Sequence, residues 1–157
     1  MLKNPTIKRI LSAVAVAVFG FILLNLTFLF DFLFQSLVDG LVAFLTPVNS
    51  NMVWRWFPPI KHALFVAMIC LISWVVFRSN LRVLYKAIYM TVPLAVVFVT
   101  IGIFLYHWPI LAQLLGSVFG IGVFYYLYRT KQHWLYYYTL MLISLTMLLA
   151  SLLKVEI

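Results

Sequence analysis

Acidic side chains are almost missing from this sequence. Only Asp31, Asp39 and Glu156 carry a carboxylate, against eleven lysines and arginines in 157 residues. Charged residues of both signs make up 9% of the chain, where a soluble domain has about a quarter. Cysteine is limited to Cys70, which excludes an intramolecular disulfide and any CxxC metal or redox motif. Lying in the apolar run Ala63 to Phe77, Cys70 is expected to be a small core residue. His62, His107 and His133 have no metal-ligand spacing, and no histidine lies deep in an apolar run where haem would need one. No metal, cofactor or catalytic set is therefore expected. A phosphate-cradling glycine loop, a nucleophile elbow and a histidine–glutamate metal motif are likewise absent from the sequence.

Apolar residues fill the space that charge leaves. They make up 66% of the chain, and the mean hydropathy is +1.13, more apolar surface than a soluble domain of this size can bury. The expected class is an all-α, polytopic integral membrane protein forming one membrane domain over residues 1–157. At about 20 residues per span the chain holds roughly five crossings. Hydropathy places them at residues 10–30, 58–77, 87–106, 109–128 and 134–153. Lys3, Lys8 and Arg9 precede the first run as in a signal peptide. That run has no terminal small-x-small site and is long enough to span, so an uncleaved span is expected.

One helical seam in the first span stands out. Ala13, Ala17, Gly20, Leu24, Thr27, Asp31, Gln35 and Asp39 follow at steps of three or four, which puts them on one slowly winding helix face. Small residues admit another helix and polar ones need internal partners, so the face is expected to point into the bundle or a wet crevice. A straight helix from Ile10 to Leu45 would be about 54 Å long, past the bilayer. A separate amphipathic interfacial helix is therefore expected over residues 31–45, ended by Thr46-Pro47. Pro58-Pro59 suits the first turn of the second span, with Lys61 snorkelling outward. Asn80 suits a cap of the third span, and Pro93 a kink within it. Gly116 and Gly120 form a small-residue packing face on the fourth span.

The charges suggest an orientation. With the N-terminus inside, Lys3, Lys8, Arg9, Arg78, Arg82, Lys86, Arg129 and Lys131 share the cytoplasmic side. Arg55, Lys61 and Lys154 balance the three acids outside, which leaves the whole net charge of +8 inside. That is the positive-inside pattern, with N-terminus in and C-terminus out, in a plasma membrane of bacterial type. Arg82, Lys86, Arg129 and Lys131 are expected to meet anionic lipids at the cytoplasmic face. Despite a pI near 9.8, the connectors are too short to build a nucleic-acid surface.

Functional candidates concentrate outside. Asp31, Gln35 and Asp39 form a polar patch, and Arg55, flanked by Trp54 and Trp56 in an outer loop, suits an anionic headgroup or a partner. Headgroup anchoring is the plainer reading of both groups. The expected function is a non-enzymatic transport or accessory subunit that binds a solute, lipid or partner membrane protein. One alternative is an enzyme acting on a lipid or polyprenyl phosphate, with Arg55 on phosphate and an aspartate as base. Another is an oligomeric channel or ion-coupled carrier. The Ala13-Ala17-Gly20 seam is loosely similar to the coupling surface of vitamin-binding subunits of energy-coupling transporters, although those usually have six spans.

Overall fold

The computed structural model describes residues 5–45 and 53–152, with side chains at 5–44 and 58–150. These residues form five helices and no strand: α1 (Pro5–Leu45), α2 (Val53–Arg78), α3 (Val83–Phe104), α4 (Pro109–Arg129) and α5 (Trp134–Leu152). Four are long and apolar enough to cross a membrane, and Trp134–Ala150 forms a shorter apolar helix.

α3 is the centre, since it touches each of the other four helices. Its apolar residues are not confined to one stripe: Ala87, Met90, Val92, Leu94, Ala95 and Val96 are all buried, as is Thr91, as expected of a helix surrounded by others. α1 and α5 pack on it and on each other around Val16, Ala87, Leu135 and Leu140. Among the described residues, α2 contacts α1 and α3 and no other helix, through Phe65, Ile69, Val92 and Val96. Among the described residues, α4 touches α3 and α5 alone. Helices α1, α3 and α5 run parallel, with α2 and α4 antiparallel to them.

Close approach explains the tightest contact. A Cβ placed on Gly20 would lie 2.7 Å from Thr91 Cγ2, so α1 comes nearer to α3 than any side chain at this position allows. Thr91 donates its hydroxyl to Ile88 O at 2.7 Å, which holds its methyl toward Gly20. Thr139 of α5 binds the same region of α3, with Oγ1 3.1 Å from Ala87 O. Phe98 fills the space over Gly116, meets Phe119 edge-on at 5.4 Å, and reaches toward Gly120.

Several expectations from hydropathy require correction. No break follows Phe30: residues 31–45 continue α1 as one helix of 41 residues, roughly 60 Å long. No proline interrupts it, and a Gln35–Asp31 side-chain bond of 3.0 Å bridges the expected joint. Thr46 and Pro47 lie outside the described residues. α2 begins at Val53, so Trp54, Arg55 and Trp56 belong to its first turn and not to a loop, and Pro58 and Pro59 lie within the helix. α3 starts at Val83 with Arg82, not Asn80, at the N-cap, and no side chain caps it. Lys86 instead donates to Phe77 O at 2.7 Å, satisfying a carbonyl that the end of α2 leaves open. α3 is continuous through Pro93, which is compatible with a kink there. Cys70 is exposed on the outward face of α2, one residue past buried Ile69.

The α4–α5 link is a Schellman turn. Gln132 N–H donates to Leu127 O, Lys131 N–H to Tyr128 O, and Lys131 takes the left-handed conformation at φ 48°. Glycine usually fills that position. The short turn puts His133 and Trp134 back at the end of the bundle that α4 has just reached.

Candidate functional site

The two ends of the bundle differ in charge. Lys8 and Arg9 at the start of α1, Arg78 at the end of α2, Arg82 and Lys86 around the start of α3, and Arg129 and Lys131 at the α4–α5 link share one end. Both described carboxylates, Asp31 and Asp39, belong to the other end, with Lys61, His62 and the α3–α4 turn.

At the carboxylate end, α1, α2 and α3 bring together a polar group. The inward face of α1 carries Ala13, Ala17, Gly20, Leu24, Thr27, Asp31 and Gln35, each buried or half-buried. Asp39 departs from it, with half of its side chain exposed. Asp39 Oδ1 accepts from Lys61 Nζ at 2.6 Å. Lys61 is buried, so its aliphatic stem lies within the helix packing and its ammonium reaches Asp39. It therefore does not extend into open solvent as expected. An exposed ion pair is worth about 0–1 kcal/mol, but this one has a buried partner whose charge must be compensated. Nearby, His62 Nε2 lies 3.0 Å from Thr100 Oγ1 of α3, and its ring meets Phe104. Because Thr100 donates to Val96 O at 2.6 Å, its oxygen is placed to accept from His62.

Asp31 is the unusual member. Its Oδ2 accepts from Gln35 Nε2, while Oδ1 is buried and has no hydrogen-bond partner among the described residues. Thr27, one turn earlier, gives its hydroxyl to Leu23 O. On either side of Asp31, Phe30 and Phe34 pack against Phe65 of α2, with ring centroids 6.4 and 6.1 Å apart. A buried acceptor left without a donor costs about 1–3 kcal/mol, and more when charged. Asp31 thus holds unused accepting capacity beside an aromatic wall.

The remaining candidates fall elsewhere. The side chains of Trp54, Arg55 and Trp56 lie outside the described residues. His107 is exposed at the α3–α4 turn beside Tyr106, and does not join His62. His133 belongs to the basic end. Among the described residues, no group of three or more histidine, cysteine or acidic side chains is arranged to hold a metal ion. Gly116 and Gly120 face Phe98, whereas Ser117 turns outward and donates to Gln113 O. Of the four basic residues expected to meet lipid, Lys86 is engaged with Phe77 O, and Arg82, Arg129 and Lys131 are exposed. The His62–Thr100 bond is not readable from the sequence, because Thr100 is an ordinary member of an apolar run.

The fold and this distribution of polar groups define a multi-pass helical membrane protein. Comparison with protein-family models, with curated proteins and with solved structures finds no match.

Proposed function

We propose that this protein is a non-enzymatic membrane component, a transport or accessory subunit, that holds a cationic or hydrogen-bond-donating group at the carboxylate end of the bundle. The observation that carries this reading is Asp31 Oδ1, a buried carboxylate oxygen with no hydrogen-bond partner among the described residues. Ionisable groups kept inside a membrane bundle at a cost to stability mark binding sites and pathways. A donor brought by a solute, or by a partner membrane protein, recovers the free energy that the empty acceptor costs.

Two further features support binding over catalysis. Asp31 and Asp39 stand on one continuous helix, eight residues apart, so their Cα atoms are about 12 Å apart and the carboxylates do not work as a pair on one proton. Asp39 is already bound to Lys61. By the positive-inside rule, we read the basic end as cytoplasmic and the Asp31 site as facing outside, in a bacterial-type plasma membrane.

Asp31→Asn tests the reading. In the unliganded protein it is expected to raise stability by about 1 kcal/mol, because a buried charge is removed while an oxygen remains for Gln35. Native mass spectrometry from mild detergent is expected to find a bound species on the wild type. Asp31→Asn leaves its one oxygen with Gln35 and puts a donating NH2 where Oδ1 stands, so it and Asp31→Ala are both expected to lose the bound species. A wild-type protein that carries nothing, together with an Asp31→Asn variant no more stable than it, contradicts the proposal.

A further inference from the structure

The basic end contains an open groove of about 320 Å³ that the Asp31 reading does not use. It lies where α1, α3 and α5 begin, with Lys8 and Arg9 on one side and His133 and Trp134 on the other. We propose that this groove binds the phosphate of an anionic lipid headgroup.

Charge is the first argument. Neither Lys8 nor Arg9 has an ion-pair partner among the described residues, and both described carboxylates are at the opposite end of the bundle. His133 Nδ1 accepts from Leu135 N–H at 3.3 Å. That bond assigns the ring proton of the neutral imidazole to Nε2, which becomes a donor. Three parallel helices also start here, so the positive ends of their dipoles add to the side-chain charge.

The lining argues for a lipid over a soluble anion. Pro5, Val83 and Leu135 also line the groove, beside exposed Trp134. Cations next to apolar side chains and an indole fit an amphiphile whose phosphate meets Lys8 and Arg9 and whose first methylenes lie along the apolar lining. Arg129 and Lys131 do not line the groove. They belong to the same end and serve as controls.

Native mass spectrometry of the full chain in mild detergent, titrated with phosphatidylglycerol or phosphatidylcholine, tests the site. Wild type is expected to prefer phosphatidylglycerol. The double substitution Lys8→Gln/Arg9→Gln weakens that binding by about 10- to 30-fold, and Arg129→Gln/Lys131→Gln leaves it nearly unchanged. Photocrosslinking a phosphatidylglycerol probe to the unaltered chain is expected to mark peptides holding Lys8 and Trp134, a readout that needs no variant. Equal losses in both double variants, no loss in the first, or crosslinks only at Arg129 and Lys131 would overturn the site. Glycerol phosphate binding as tightly as the lipid would overturn the lipid assignment.

Discussion

Gly20→Ala is expected to destabilise the bundle by about 2 kcal/mol, and Thr91→Ser on the facing helix to recover most of that loss. Overpacking a full site costs about 1–3 kcal/mol, from which alanine's better helix propensity returns up to about 1 kcal/mol. The added methyl would stand 2.7 Å from Thr91 Cγ2, while Thr91 Oγ1 and Cβ are 3.4 and 3.5 Å away. Thr91 cannot turn aside easily. It is 1% exposed, and its hydroxyl is bound to Ile88 O. Serine lacks only Cγ2 and keeps the hydroxyl, so the double variant exchanges one methyl for another across the same interface. Reversible unfolding in mixed micelles reads this as a favourable coupling of about 1–2 kcal/mol between the two sites. Additive effects would mean that α1 and α3 do not meet at these residues.

The second large effect is expected at Phe65. Phe65→Ala should cost about 3–5 kcal/mol, because the ring is 2% exposed and stands between Phe30, Phe34, Val92 and Val96. Among the described residues α2 touches neither α4 nor α5, so losing this anchor should loosen α2 before the rest. Hydrogen exchange is expected to rise in α2 while α3 and α5 stay protected. Phe77→Ala is the contrast: its ring meets Tyr89 at 6.1 Å but is 38% exposed, and its loss should cost about 1 kcal/mol. Uniform exchange across all helices would show that α2 is not a separately docked element.

How much of this was legible beforehand follows from what periodicity encodes. Helical class and the long apolar helices are written in hydropathy. The inward face of α1 is also readable, because Ala13, Ala17, Gly20, Thr27, Asp31 and Gln35 recur at helical spacing. Length alone suggested a break after Phe30, yet nothing in the local sequence imposes one, and the Gln35–Asp31 bond crosses the place. Pro58-Pro59 looked like a helix start, but Val53 to Phe57 form the turn before it.

Interhelical partners were the least accessible. Thr91 opposite Gly20 and Thr100 opposite His62 depend on the vertical offset of packed helices, which no single-helix pattern specifies. The groove at the basic end was hidden for a related reason. Lys8, Arg9 and His133 are far apart in sequence, and meet only because α1, α3 and α5 start at one level. The charge pattern put Lys8, Arg9 and the α4–α5 link on one side of the membrane but could not bring them to one groove.

Sidedness underlies both proposed sites, and cysteine labelling in sealed right-side-out vesicles measures it directly. On a Cys70→Ala background, His107→Cys at the α3–α4 turn should react with a membrane-impermeant maleimide from outside, and Lys131→Cys at the α4–α5 link only after permeabilisation. Labelling of both positions from the same compartment would contradict the account.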